Sequence, residues 1–179
     1  QGYPPGVTAH GATIAGVPCR VYPGAAPAVV YLHGGGFVVG GLHSHDDVCA
    51  EIRARTGLKV VAVDYRLSPE HKHPAAFDDS CAVISALGKE GPVVLAGDSA
   101  GGNLAAAASH ALRGSDVTIL GQVLIYPGLG LGVTLLCLNF LGDGLRIGTE
   151  LGNLTEDVPD LVFNLVVSVR SGYIGEVFF

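Results

Sequence analysis

Methionine is absent from this chain of 179 residues. Because translation starts with methionine, we expect a processed chain or, in preference, a fragment that lacks its start. Charged residues are also scarce, at 15% of the total. Disordered chains are typically more charged and less apolar, so the composition indicates a folded protein. The length is sufficient for one domain with a hydrophobic core.

Basic residues are few. The chain has 10 Lys and Arg against 16 Asp and Glu, a formal net charge of -6. A nucleic-acid-binding surface needs clustered basic side chains that neutralise phosphates, and the basic residues here are scattered. We therefore expect no nucleic-acid partner.

CxxC pairs are also missing, although the chain has 4 cysteines. These are Cys19, Cys49, Cys81 and Cys137. Without paired spacing, neither a zinc site nor a dense disulfide framework is predicted. No basic start followed by an apolar stretch and a cleavage site opens the chain, so no secretory signal is indicated. We expect buried, reduced thiols and a cytoplasmic location.

One long stretch lacks charge altogether, between Asp116 and Asp143. Its length would allow a membrane-spanning helix. However, glycines such as Gly121 and a Pro-Gly turn signal at 127–128 interrupt it. This pattern is more typical of a buried strand followed by a loop, so we expect no stable membrane insertion.

Short apolar segments recur along the chain. Weak alternation at 12–14 and again at 17–22 predicts an antiparallel hairpin. Four later segments are long enough for strands, too short for helices, and spaced by about thirty residues, which suits strand–helix–strand units. They are 28–32, 59–63, 92–96 and 118–125.

The segments between these strands have helical spacing, and glycines predict the ends of two helices. Their apolar faces are Val48 and Ile52 ahead of Gly57, and Phe77, Cys81 and Ile84 ahead of Gly88. A third helix, predicted over 100–113, is alanine-rich and nearly uncharged, so we expect it to pack deeply. The alternation predicts an α/β fold, a mostly parallel sheet with helices on both faces. Ligands of such sheets bind beyond the carboxyl ends of the strands.

A GxSxG motif follows the strand predicted over 92–96. It reads Gly97, Asp98, Ser99, Ala100 and Gly101. Between a strand and a helix, this motif is typical of a nucleophilic serine on a strained turn, where the flanking glycines let the backbone pass. The first N–H groups of the following helix face a developing oxyanion. The alternative is a glycine-rich turn whose serine only caps the helix.

A second glycine-rich motif follows the strand predicted over 28–32. It reads His33, Gly34, Gly35, Gly36 and Phe37. Consecutive glycine N–H groups in a turn can complete an oxyanion hole with the N–H of Ala100. A phosphate-binding loop is the alternative, but no GK[ST] sequence follows and the glycines do not fit GxGxxG. Together the two motifs favour a serine hydrolase.

With these motifs in place, the chain resembles the hormone-sensitive-lipase-like esterases, also called the α/β-hydrolase fold-3 family. The resemblance runs from about Val17 to Gly128 and is carried by five blocks. These are 33–37, DYRLSPE at 64–70, Pro74 to Ala76 with Asp79, 97–102, and Tyr126 with Pro127.

That resemblance implies the roles of the site residues. Ser99 corresponds to the nucleophile. The oxyanion donors are Gly35, Gly36 and Ala100, with His33, Gly34 and Asp98 in supporting positions. It also implies small ester substrates and no cofactor. Asp64 and Arg66 correspond to structural residues, for which we expect a partly buried ion pair.

The chain departs from the family after Leu129. The family has a catalytic aspartate followed by Pro and Leu, and later a histidine followed by Gly and Phe. Neither pattern occurs here, and no histidine follows His110. The acid and the histidine of the triad are therefore unassigned, and serine without a base is a weak nucleophile. Two functions stay open: a carboxylic ester hydrolase, or a non-catalytic small-molecule-binding protein on the same fold, as in the gibberellin receptors that resemble the family.

The earlier histidines do not supply an obvious base. His110 lies roughly 16 Å beyond Ser99 along the predicted helix, so it points away from the turn. His33 heads the oxyanion loop, which we expect it to orient, with a base role as the alternative. Other histidines and acids lack a complete metal-ligand spacing, so we expect solvated loop histidines and no metal. They are His43, His45, Asp46, Asp47, His71 and His73.

We divide the chain into residues 1–128, the N-terminal part of an α/β-hydrolase domain, and residues 129–179, a divergent tail of unassigned fold. Within the tail, periodicity fits either a strand or a helix at 161–169. The abrupt end of the family pattern near Gly130 favours truncation or a change of reading frame. We therefore expect the last strands and helices of the fold to be missing. No pattern specifies an oligomeric state.

Overall fold

The computed structural model describes residues 2–127 and the backbone of one strand in the tail. The elements alternate between strand and helix from β3 to β6. They are β1 His10–Ile14, β2 Val17–Tyr22, β3 Ala25–Leu32, α1 Asp46–Thr56, β4 Leu58–Val63, α2 Ala75–Gly88, β5 Val93–Asp98, α3 Ala100–Ala111, β6 Ile119–Ile125 and β7 Leu165–Val169. The tail segment that fitted either a strand or a helix thus contains a strand. The rest of the tail, and with it the predicted division at residue 128, lies outside the described residues.

The strands form one sheet in the order β1-β2-β4-β3-β5-β6-β7. β3 runs parallel to β4 and β5, and β5 runs parallel to β6. The predicted hairpin of β1 and β2 is confirmed as an antiparallel pair, and β7 pairs antiparallel with β6. β2 also pairs antiparallel with β4, so five of these seven strands, β1, β3, β4, β5 and β6, run in the same direction, and the sheet is mostly parallel, as predicted. Leu32 pairs with Gly97, so the loops that follow β3 and β5 leave the sheet side by side.

Helices cover both faces of the sheet because side chains alternate along each strand. Val30 and Leu32 of β3 belong to the core cluster that includes Leu104 of α3 and residues of α2. Tyr31 belongs to the opposite cluster, together with Cys49 of α1. The third predicted helix is confirmed, and it buries its alanine-rich face.

Three local predictions were wrong. β3 begins at Ala25, three residues before the strand predicted over 28–32, because the Ala25 N–H donates to Gly57 O at 2.9 Å. α1 buries Cys49 and Ala50 and leaves Val48 37% exposed, because small side chains allow close contact with the sheet. α2 runs through Gly88 rather than ending before it. A Cβ at Gly88 would lie 2.8 Å from Val117, so packing explains this glycine.

The expected pair of Asp64 and Arg66 is also wrong. Arg66 instead binds Asp79 of α2, with Nη2 2.8 Å from Oδ1 and Nε 2.9 Å from Oδ2. The backbone N–H of Arg66 also donates to Oδ2 at 2.9 Å. Burial opposes ionisation of Asp79, but these hydrogen bonds hold its pKa below the ordinary value. Asp79 therefore satisfies both the guanidinium and the backbone N–H of Arg66, and Asp64 is not its partner.

The cysteine prediction holds for two residues. Cys19 and Cys49 are buried free thiols, whereas Cys81 is partly exposed. Burial raises the pKa of Cys19 to about 11 and that of Cys49 to about 12. Cys137 lies outside the described residues. Within residues 2–127, no helix has the length and apolar character needed to cross a membrane.

Candidate active site

Ser99 occupies a sharp turn between β5 and α3, with φ 49° and ψ -115°. The flanking glycines make this turn possible. A Cβ at Gly97 would lie 2.5 Å from the carbonyl carbon of Gly101. A Cβ at Gly101 would lie 1.9 Å from Leu32 O. The local geometry therefore has the strained strand-to-helix turn that the motif predicts.

The glycine loop leaves β3 next to this turn. The Gly34 N–H donates to Asp98 Oδ1 at 3.0 Å, which joins the loop to the residue before Ser99. Gly35 has φ 126°, and a Cβ there would lie 2.0 Å from Val39 O. Gly36 has φ 61° and open space around it. Residues with a side chain rarely adopt these positive φ angles, which explains why both positions are glycine.

Three N–H groups in this region are uncommitted. Those of Gly35, Gly36 and Ala100 donate none of the hydrogen bonds found within residues 2–127. The Gly34 N–H, by contrast, is already used. These three are the oxyanion donors that the resemblance implies, and their role stays a prediction.

A cavity of about 480 Å³ opens at this end of the sheet. Its volume is in the usual range for small-molecule sites, roughly 300–1,000 Å³. The lining residues are Gly34, Gly35, Val39, Gly40, Ser44, His45, Asp98, Ser99 and Tyr126. The structure thus brings Gly34, Gly35, Asp98 and Ser99 together. Gly36, Ala100 and His33 are sequence neighbours of lining residues, but they do not themselves line the cavity.

The side chain of Asp98 is almost fully buried, and it contacts four other residues. Its Oδ1 accepts from the Tyr31 hydroxyl at 3.0 Å and from the Gly34 N–H at 3.0 Å. His45 Nε2 lies 3.2 Å from the same oxygen. The Tyr126 hydroxyl lies 3.4 Å from Oδ2. The contacts of Tyr31, His45 and Tyr126 with Asp98 were not predicted, since nothing in local spacing indicates that these side chains meet.

His45 corrects the expectation of solvated loop histidines. Its ring lines the cavity and contacts Asp98, and its other nitrogen lies 2.9 Å from Ser44 Oγ. His43, His71 and His73 are exposed, as expected. Within residues 2–127, no group of three or more His, Cys, Asp or Glu side chains is arranged to hold a metal ion.

His33 is buried behind the glycine loop. Its Nδ1 lies 2.7 Å from Gly34 O, and its ring stacks on Tyr65 with centroids 4.2 Å apart. Burial lowers the pKa of His33, because a charged imidazole would lose its hydration. These contacts suit the expected role of orienting the loop. His110 lies in the last turn of α3 and is exposed, far from the turn at Ser99.

Comparison with known proteins gives a consistent result. The sequence profile of the family described as alpha/beta hydrolase fold matches residues 29–137. Esterase LipI of Mycobacterium tuberculosis is 42% identical over 111 residues, which are 57% of this chain and 35% of LipI. Gibberellin receptor GID1B of Arabidopsis thaliana is 35% identical over 116 residues, 58% of this chain and 32% of the receptor.

A solved structure agrees with the sequence comparisons. An esterase from the bacterial hormone-sensitive lipase family superposes with a TM-score of 0.67 and 33% identity, covering 72% of this chain and 46% of that esterase. The chain therefore spans less than half the length of each of these relatives.

Proposed function

Because the chain belongs to the hormone-sensitive-lipase-like esterases of the α/β-hydrolase fold, we propose that it carries the nucleophile and the oxyanion hole of a carboxylic ester hydrolase. The observation that carries this proposal is the shared cavity of Ser99 and the glycine loop. The relatives named as esterases support a small-molecule ester as the substrate.

In the proposed reaction, Ser99 Oγ attacks the ester carbonyl carbon and loses its proton to a base. The carbonyl oxygen becomes an oxyanion, which the N–H groups of Gly35, Gly36 and Ala100 stabilise. The C–O bond of the ester then breaks, and the alcohol leaves with a proton. Water attacks the acyl-serine with the help of the same base, releasing the acid and restoring Ser99.

The base is not assigned to a residue described here. Both ring nitrogens of His45 already have partners, Ser44 and Asp98. His33 is buried, its Nδ1 faces Gly34 O, and its ring does not line the cavity that contains Ser99, although its Nε2 has no partner within the described residues. Neither imidazole is therefore assigned as the general base that accepts the proton of Ser99. The acid and histidine of the triad stay unassigned, and the cytoplasmic location stays a prediction.

Hydrolysis of p-nitrophenyl butyrate tests the role of Ser99. We expect the folded chain to release p-nitrophenol, and Ser99→Ala to reduce kcat/KM by about a thousandfold or more. Ser109→Ala is the matched control, since it makes the same change ten residues further along, in α3. We expect it to keep the activity. Equal turnover by the Ser99→Ala variant would exclude Ser99 as the nucleophile.

A second candidate function is non-catalytic binding of a small molecule. It is favoured by the unassigned base together with the similarity to a gibberellin receptor. If the unsubstituted chain and the Ser99→Ala variant are equally inactive but both bind a small carboxylic acid or ester, measured by calorimetry, this second function replaces the first.

A further inference from the structure

The oxyanion loop is attached to the nucleophile turn through a single carboxylate. Gly34 provides the first glycine N–H of the loop, and that N–H donates to Asp98 Oδ1 at 3.0 Å. The loop lies close to Asp98 here, because a Cβ at Gly34 would lie 2.1 Å from the side-chain atom Oδ2 and 3.2 Å from the backbone oxygen of Asp98. With the Gly34 N–H held, the peptide units that follow are held at a defined angle to Ser99. The Asp98 carboxylate therefore restrains the first peptide unit of the loop.

His45, which also lines the cavity, contacts the same carboxylate through a ring nitrogen. Its Nε2 lies 3.2 Å from Asp98 Oδ1. A carboxylate oxygen only accepts, so Nε2 carries the hydrogen of this bond. The ring also lies face to face with the ring of His33, with centroids 6.1 Å apart. A charge-assisted bond of this kind is stronger than a bond between neutral groups.

The His45 ring is itself held from two sides. Its Nδ1 lies 2.9 Å from Ser44 Oγ, which also accepts the Gly41 N–H at 3.1 Å. The next residue, Asp46, begins α1 and pairs with Arg20 of β2 at 2.7 Å. The histidine thus sits between a tight turn and an anchored helix start, which limits its movement.

We propose that His45 is a positioning residue, whose Nε2–H holds the Asp98 carboxylate in the orientation that fixes the Gly34 N–H and aligns the oxyanion loop with Ser99. The proposal extends the proposed function, because its catalytic consequence requires hydrolysis at Ser99. Its structural consequence, the order of the loop, does not require turnover.

Two substitutions separate the hydrogen bond from the ring. His45→Phe keeps a ring but removes the donor, whereas His45→Gln keeps an N–H donor of similar reach and removes the ring. His43→Phe is the matched control, since His43 is exposed and is not among the residues that line the cavity. Should His45→Phe fail to fold, His45→Asn replaces it, because its shorter side chain does not reach Asp98.

Amide hydrogen exchange, measured by mass spectrometry on peptides that cover residues 33–41, is the first measurement. We expect His45→Phe to raise the exchange rate of the loop by about tenfold or more, the effect of losing one charge-assisted hydrogen bond. His45→Gln and His43→Phe should stay close to the unsubstituted chain. Unchanged exchange in His45→Phe, or equally fast exchange in His45→Gln, would overturn the proposal.

Ester hydrolysis is the second measurement. We expect His45→Phe to lower kcat with little change in KM, because misaligned donors weaken binding of the transition state more than binding of the substrate. His45→Gln should restore most of kcat. A loosened loop with unchanged kcat would overturn the proposal. If the unsubstituted chain hydrolyses no ester, the proposed function has failed, and the exchange measurement decides the role of His45 separately.

Discussion

Gly101 illustrates how one residue decides the geometry of the site. It lies two residues after Ser99, in the first turn of α3, where the helix crosses the end of β3. A Cβ at this position would lie 1.9 Å from Leu32 O and 2.6 Å from His33 O. Both contacts are with backbone, which cannot move aside as a side chain can. The close approach of α3 to the glycine loop therefore requires glycine here.

We predict that Gly101→Ala destabilises the protein by about 3 kcal/mol, the upper part of the range for overpacking a tight site. Gly11→Ala is the control, because Gly11 has an ordinary strand backbone and no atom within 4 Å of a Cβ. The free energy of unfolding of the Gly11→Ala variant should hardly change. Urea unfolding of both variants measures the difference. Equal free energies of unfolding would show that α3 can move away from β3 without loss of stability.

At the scale of elements, α1 ends as its sequence predicts. Gly57 has φ 72° and ψ -2°, the left-handed conformation, and its N–H donates to Arg53 O at 3.0 Å. The chain then reverses directly into β4 at Leu58. Nothing lies within 4 Å of a Cβ at Gly57, so backbone conformation alone demands the glycine. This differs from Gly88, where the side chain of Val117 occupies the space.

We predict that Gly57→Ala lowers the free energy of unfolding by about 1 kcal/mol, the cost of a left-handed alanine. Gly57→Asn should lose less, because asparagine tolerates this conformation better than alanine does. Thermal unfolding of the two variants provides the test. An alanine variant as stable as the asparagine variant would mean that the helix end rearranges.

For the whole molecule, one buried histidine links stability to pH. His33 is 3% exposed, and within the described residues its Nε2 has no hydrogen-bond partner. Burial lowers its pKa in the folded state from the ordinary 6.5, partly opposed by its contact with Gly34 O. Well above the ordinary pKa of 6.5, the imidazole is neutral in both states. Below this value the unfolded chain binds a proton more readily than the folded chain. The free energy of unfolding therefore decreases as the pH decreases.

We predict that the free energy of unfolding decreases as the pH falls below 6.5, and that His33→Asn reduces this slope. The His33→Asn variant lacks the group whose pKa differs between the folded and unfolded states. This holds even if the variant is less stable than the unsubstituted chain. His43→Asn, at an exposed histidine, should keep the slope of the unsubstituted chain. Urea unfolding at a series of pH values measures all three, and an unchanged slope in His33→Asn would contradict the prediction.

The sequence alone determined the fold class and the two glycine motifs. Apolar segments at regular spacing predict parallel strands because each segment encodes its own element. GxSxG and the HGGG sequence are each formed by adjacent residues, and the structure has the positive φ angles at Ser99 and Gly35 that suit them. The tail gave no such result, as its apolar spacing fitted either a strand or a helix.

Only the tertiary structure decided which distant side chains meet. Tyr31, His45 and Tyr126 converge on Asp98 because the ends of β3, β5 and β6 lie side by side while α1 packs on one face. Arg66 binds Asp79 for the same reason, since α2 presents its carboxylate where the chain leaves β4. The exposure of Val48 likewise depends on how α1 is rotated about its axis against the sheet. Such contacts follow from packing between elements, and local sequence patterns do not encode that packing.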